Sequence, residues 1–292
     1  MSWLKRMNLV IDYIEENLNA EITIEDVAKI ACCSRYHFHR VFYSCFSITF
    51  AEYIRKRRFT LAAVDVVSGQ AKIMDIALKY GYDSPNAFTR AFRHIHGVNP
   101  GEARSSQVKL ATYNRVSFPP ENIGIKKMDY KIIQRPSFKI VGKSKHFQFD
   151  DFAKNGQKFW KEYVGSDEYK MLCQLTNGKS GIITGAPLLT VYFPKEKSKP
   201  DEFLDVLGIE SASDNKVKPF GTHAVPSATY AEFECSYRGS MKTNRYIYGE
   251  WFSATGYKRD GDKPDVVAYF PMPFRHFSEM GVRWWIPVVK EQ

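Results

Sequence analysis

Ser34-Arg-Tyr-His-Phe-His-Arg-Val-Phe-Tyr43 and Ser84-Pro-Asn-Ala-Phe-Thr-Arg-Ala-Phe-Arg93 are one pattern written twice, fifty residues apart. Phe38 matches Phe88, Arg40 matches Arg90 and Phe42 matches Phe92. Each copy opens on a serine suited to cap a helix, and Pro85 follows at a first helical position, where its missing N–H is no loss. Phe38, Val41, Phe42 and Cys45 fall at i, i+3, i+4 and i+7, giving one apolar face. Phe88, Ala91, Phe92 and Ile95 repeat that face. The opposite faces carry Tyr36, His39, Arg40 and Tyr43 in one copy and Asn86, Thr89, Arg90 and Arg93 in the other. Two helices anchored on one side and hydrogen-bonding on the other are what reading the major groove requires.

Outward from these copies the chain extends the same unit. Leu4 to Leu18 reads as an amphipathic helix through Leu9, Val10, Tyr13, Ile14 and Leu18. Thr23 is placed to cap a short helix, Ile24 to Ala31, and a tight turn leads into the first copy. Thr49 caps a longer helix over Phe50 to Val67, ending near Ser68-Gly69. Ile73, Asp75, Ile76 and Ala77 then echo Ile24, Asp26, Val27 and Ala28, and Gly81 supplies the left-handed turn before the second copy. A connector of roughly 18 residues is about 27 Å long. With its turns it places two reading helices about 34 Å apart, one DNA turn, so a monomer can read two successive major grooves. Arg55 and Arg57 of the connector, with Arg93, are positioned to grip phosphates.

The 292 residues suffice for two domains, and the formal net charge of +10 favours a polyanionic partner. Splitting the chain after Lys127 leaves +6 on the first part and +4 on the second, so the charge marks no single half. Five cysteines, two adjacent, make a poor disulfide framework and show no zinc spacing, which suits a reducing cytoplasm. His37, His39, His94 and His96 lack a cysteine or carboxylate to complete a metal site. No apolar run is long enough for a membrane span, and the N-terminus lacks a signal-peptide pattern.

Residues 3–107 resemble the DNA-binding domain of the AraC/XylS family of bacterial transcription regulators. Ile76-Ala-Leu-Lys-Tyr-Gly81-Tyr-Asp-Ser84-Pro-Asn-Ala-Phe88-Thr-Arg90-Ala-Phe92-Arg-His-Ile-His-Gly97-Val-Asn-Pro100 is that family's signature nearly residue for residue. The resemblance implies an all-α domain of two helix-turn-helix units over residues 1–107. It implies base reading by Arg35, Tyr36, His39 and Arg40 in the first unit and Asn86, Thr89 and Arg90 in the second. It also implies double-stranded DNA and RNA polymerase as partners, activation with repression as the alternative, and no cofactor.

Residues 108–127 read as a linker with Pro119-Pro120 and Gly124, and a region of different character follows over 128–292. Tyr130 to Val141 alternates like strands, Phe152 to Tyr163 is helical, and Gly181 to Pro194 is strand-like. Lys195 to Pro200 reads as a charged turn. Thr222 to Cys235 is again strand-like, Met241 to Thr255 helical, and Val266 to Pro271 and Val282 to Val289 are strands. Two strand–helix–strand–strand units around a cleft make an α+β domain, and the whole chain is multidomain.

This half resembles the GyrI-like effector-binding domain of Rob-type AraC regulators. Tyr237-Arg-Gly239-Ser, Tyr248-Gly-Glu-Trp251-Phe-Ser-Ala-Thr-Gly256-Tyr257 and Trp285-Ile-Pro287-Val carry the likeness. The family's cleft often holds a glutamate facing cationic drugs, where this chain has Arg283, and a further acidic position, where it has Val267. Trp160, Tyr192, Tyr248, Trp251, Tyr269 and Trp285 supply aromatic walls, and Arg283 among them suits an anionic or neutral aromatic ligand. The alternatives are a domain that only docks a protein partner, or one with minor hydrolytic activity. Cys235 lacks the flanking proline and histidine of cysteine alkyl acceptors, and the reading is of a regulator rather than an enzyme.

Overall fold

The computed structural model describes residues 3–106, 108–118, 128–176, 179–194, 202–211, 218–270 and 280–290. Among the described residues, seven helices occupy the first part of the chain: α1 (Trp3–Glu16), α2 (Ile24–Ala31), α3 (Arg35–Phe46), α4 (Phe50–Ser68), α5 (Ile73–Lys79), α6 (Pro85–His96) and α7 (Pro100–Ser105). The chain divides into two compact units, Met1–Cys33 with Phe46–Phe118, and Ser34–Cys45 with Pro119–Gln292. The second unit therefore includes most of α3, a grouping that nothing in the local sequence announces.

In the first unit the helix boundaries follow local chemistry. The hydroxyls of Thr23, Thr49 and Ser84 accept the N–H groups of Asp26, Glu52 and Ala87 at 3.2 Å, each satisfying a donor the helix leaves unpaired. Pro85 occupies the first turn of α6, and Gly69 and Gly97 end α4 and α6 at φ +71° and +80°. Phe59 of α4 is the centre of the second helix-turn-helix, its ring 5.6 Å from Phe88 and 6.2 Å from Phe92. Ile76, Ala77 and Tyr80 complete that core.

Residues 108–118 are a strap rather than a free linker. The Tyr113 N–H donates to Thr60 Oγ1 at 2.9 Å, the Val116 N–H to the Tyr53 hydroxyl at 3.3 Å, and Phe118 is buried against Trp3 and Phe46. Pro119-Pro120, Gly124 and the charged turn at 195–200 lie outside the described residues.

The second unit is an antiparallel sheet of β1 (Tyr130–Arg135), β2 (Phe138–Gln148), β3 (Leu188–Pro194), β4 (Glu202–Ser211), β5 (Gly221–Val225), β6 (Ala228–Ser236), β8 (Asp265–Phe270) and β9 (Gly281–Lys290). Their order is β1-β6-β9-β8-β3-β4-β2-β5, and β7 (Tyr257–Arg259) pairs with β9. The first repeat carries α8 (Phe149–Val164) and α9 (Asp167–Thr176). The second carries α10 (Ser240–Tyr246), one wide helical turn at Ile247–Trp251, and α11 (Phe252–Thr255). β1 pairs with β6 and β5 with β2, so each repeat lends its first strand to the other, and the repeats meet where β3 pairs with β8. Sequence periodicity misses α9, β4 and β7, and the stretch 181–187 turns rather than extends.

Strand alternation sorts the side chains to two faces. Phe152 of α8 packs on Tyr192, Trp160 on Tyr269, and Tyr246 and Trp251 on Phe233, which defines the helix-covered face. Ile140, Leu189, Val191, Val206, Tyr230, Val266 and Trp285 form a buried cluster on the other.

Candidate functional site

In the first unit, α6 presents a polar edge. Phe88 and Phe92 are fully buried, while Asn86, Arg90 and Arg93 are exposed and Thr89 is half-exposed. Arg55 of α4 is exposed as well. Arg57 is not available as a phosphate clamp. Its guanidinium grips Glu15, with Nη2 2.6 Å from Oε2, and donates through Nη1 to the Tyr113 carbonyl. That bidentate pair fixes the strap and α1 to the connector, a structural use of the charge.

In the second unit the site is set by sheet register. Tyr192 of β3 is the Cα partner of Asp205 on β4 and of Asp265 on β8. Three side chains thus emerge abreast on the helix-covered face, at the junction of the two repeats. Both carboxylates are fully buried, a costly placement unless each finds a positive partner. Asp265 has one in Arg259, whose Nη2 lies 2.7 Å from its Oδ1, and it also accepts from the Tyr248 hydroxyl at 3.0 Å. Asp205 has neither oxygen hydrogen-bonded among the described residues. Burial pushes its carboxyl up to about 8, and the charge that opposes this shift belongs to Arg40.

Arg40 comes from α3. The expectation of an exposed polar face on that helix is not met, because its polar residues fill the cleft of the second unit. The Arg40 guanidinium lies 5.1 Å from the Tyr192 ring centre and 5.6 Å from those of Tyr248 and Trp284, with Nε 3.6 Å from Asp265 Oδ2. Only 11% of its side chain is exposed. Burial alone would lower its proton affinity, but Tyr248, Tyr36, Asp265 and Tyr192 raise it further, so the group stays a cation. Tyr36 donates to Asp265 at 3.3 Å beneath the Arg259 guanidinium. His39 stacks on Phe149 at 4.4 Å, and His37 packs on Tyr248 and Phe252. Burial, with Arg259 and Arg40 nearby, pushes His37 down to about 3 and keeps it neutral. At the far end Ser44 hydrogen-bonds Asn244, and Arg245 donates to the Ser44 carbonyl at 3.3 Å. α3 therefore contacts α8 on one side and α10 and α11 on the other.

The aromatic residues expected in the cleft divide. Tyr192, Tyr248 and Tyr269 are there, with Trp160 edge-on to Tyr269 at 5.2 Å. Trp251 instead packs among Phe233, Phe252 and Tyr257 as core. Trp285 projects from the other face, donating to Glu232 at 2.9 Å beneath Arg135. Arg283 shares that face, pairing with Glu234 at 3.1 Å and covering Phe270. Both corrections have one cause: β9 turns Trp284, not its neighbours, toward the helices. Sequence reading missed Asp205, Asp265, Arg259 and Trp284. An aspartate inside the apolar run Phe203-Leu-Asp-Val-Leu207 was the available signal for the first.

Among the described residues no cluster of three or more His, Cys, Asp or Glu could hold a metal, and no helix is long and apolar enough to cross a membrane. Burial raises the Cys235 thiol, which disfavours the thiolate a nucleophile needs.

Residues 27–106 match the helix-turn-helix domain family, and residues 128–289 match the GyrI-like small molecule binding domain family. The uncharacterized HTH-type transcriptional regulator YbfP of Bacillus subtilis is 33% identical over 118 residues, 40% of this chain and 40% of its own length. Regulatory protein SoxS of Salmonella typhimurium is 35% identical over 104 residues, 36% of this chain and 97% of SoxS. The HTH-type transcriptional activator AarP of Providencia stuartii is 33% identical over 97 residues, 33% of this chain and 72% of AarP. The chain thus spans less than half of YbfP and nearly all of SoxS.

Proposed function

Because the chain belongs to the AraC/XylS family of transcription regulators and carries a GyrI-like small-molecule-binding domain, we propose that it activates transcription from specific DNA sites under the control of an aromatic cation. The cleft carries the ligand half of this reading: two buried carboxylates flanking Tyr192, with Tyr248, Tyr269 and Trp284 around them. Aromatic faces attract positive charge, and a cation beside Asp205, which lacks a hydrogen-bond partner among the described residues, favours the ionised form of a carboxyl that burial otherwise keeps protonated. Arg283, on which the expectation of an anionic or neutral aromatic ligand rested, lies on the other face, and the cleft's own arginines, Arg40 and Arg259, are beside Asp265.

The DNA half rests on α6, where Asn86 and Arg90 are free to meet base edges, and Arg55 and Arg93 to meet phosphates. Two reading helices on one chain support binding as a monomer, and AarP's description as an activator supports contact with RNA polymerase. Selection of sites from a random duplex pool by the full chain tests the proposal. Enrichment of two motifs about one helical turn apart is the expected result, and recovery of unenriched DNA overturns it.

A further inference from the structure

The cleft that would receive a cation already contains one from this chain. Asp265 is hydrogen-bonded by Arg259 at 2.7 Å and lies 3.6 Å from Arg40 Nε, whereas Asp205 has no hydrogen bond among the described residues and Arg40 is the positive group that acts on it. Three aromatic rings surround that guanidinium at 5.1 to 5.6 Å, and its Nε and Nη2 are buried with no hydrogen-bond partner among the described residues. Cation–π and charge attraction, with a hydrogen bond to Tyr248, hold the guanidinium there, while those two nitrogens lack the paired hydrogen bonds of a bidentate arginine site. The helix bearing Arg40 corresponds to the first reading helix, and Tyr36, His39 and Arg40, three of its four candidate base-reading residues, pack within the second unit.

We infer that Arg40 is an internal stand-in for the ligand: a cation entering the cleft must displace α3, and that displacement returns Tyr36, His39 and Arg40 to DNA. This rests on the reading of the cleft as a cation site. The exchange is energetically plausible because both sides keep like for like. A ligand cation replaces the guanidinium beside Asp265, Asp205, Tyr192, Tyr248 and Trp284, and Arg40 moves from buried carboxylates to DNA phosphates and bases. Occupancy of the cleft and availability of α3 are then coupled with opposite sign, which is the differential interaction a ligand needs to shift a population.

Titration of the full chain with tetraphenylphosphonium, and with tetraphenylborate as its mirror in charge, tests this. Arg40→Ala should bind the phosphonium at least tenfold more tightly than the parent, Arg40→Lys should stay near the parent, and the borate should gain nothing. The Cys45 thiol reports on the helix itself. It lies 3.4 Å from where a Cβ on Gly249 would sit, and burial pushes it up to about 12. Phosphonium should speed its alkylation severalfold, followed on the Cys45 peptide by mass spectrometry. If the parent binds phosphonium through Asp205, so that Asp205→Asn weakens it, yet Arg40→Ala gains nothing and Cys45 stays protected, the stand-in is wrong and the cleft reading survives. If neither the parent nor Arg40→Ala binds phosphonium at all, the cation reading of the cleft fails and takes this inference with it.

Discussion

Arg40 and Arg90 hold the same position in two copies of one helix, yet their surroundings share nothing. Arg90 stands exposed on α6, beside Asn86 and Arg93. Arg40 is enclosed by Tyr192, Tyr248 and Trp284, with Asp265 at 3.6 Å. Behind both arginines the apolar faces agree: Phe38 and Phe42, like Phe88 and Phe92, are fully buried. Duplication kept the half of the pattern that makes a helix pack and let the other half diverge in what it meets. The two copies share their buried face, while the polar face of α3 is enclosed and that of α6 is exposed.

The sharpest break in the symmetry should come from Asp265→Ala. It strips Arg259 of its 2.7 Å partner and Tyr36 of its acceptor, and removing one member of a buried pair costs about 3–5 kcal/mol. Chemical denaturation should show that loss, and a change of under about 1 kcal/mol would mean water already reaches the pair.

Asp205 should give the next largest effect, and one that depends on pH. Its carboxyl, faced by Arg40 of α3, Tyr192 of β3 and Tyr269 of β8, is raised to about 8 in the fold and is near 4 when unfolded. The folded state thus prefers the protonated form. The stability this provides is complete below about pH 4 and is lost as pH rises toward 8. Asp205→Asn has no such loss, so its stability relative to the parent should grow between pH 5 and pH 8, by up to about 1.4 kcal/mol per pH unit. Parallel stability curves for the two proteins would show the carboxyl to be solvated.

On DNA the two arginines should part company. Arg90→Ala is expected to cost about 1–3 kcal/mol at a selected site and relax one base position. Arg40→Ala should cost less, since it removes both a base contact and the contacts that hold α3 in the cleft. Equal losses at the two positions would mean that α3 is released at no cost. The smallest effect belongs to Arg93→Ala, which should weaken all sequences alike and lower the salt slope by about 1.

Much of the helical half was legible because its signals are local. Thr23, Thr49, Ser84, Gly69, Gly81 and Gly97 act on groups within one turn, and their chemistry is readable residue by residue. The strands of the second half were legible where alternation was clean. β4 was not, because Asp205 interrupts its apolar run and its neighbours are buried on both faces. Arg57 was misread because an exposed basic run looks the same whether its partner is phosphate or Glu15, 42 residues away. The shared parity of Arg283 and Trp285 was correct, but parity is relative, and helices from distant parts of the chain chose which face they would cover.

Local patterning alone specifies two helix-turn-helix units, their caps, the arginines at matched positions and a second domain of two strand–helix–strand–strand repeats. These follow from periodicity and capping, which act over a few residues. Only the folded arrangement sets Asp205, Tyr192 and Asp265 abreast, turns Trp284 rather than Trp285 to the helices, and encloses Arg40 where Arg90 is exposed. Those outcomes depend on strand register and on long-range charge pairing between groups up to 225 residues apart, as Arg40 and Asp265 are. Burial makes such pairs strong, and no local rule encodes them.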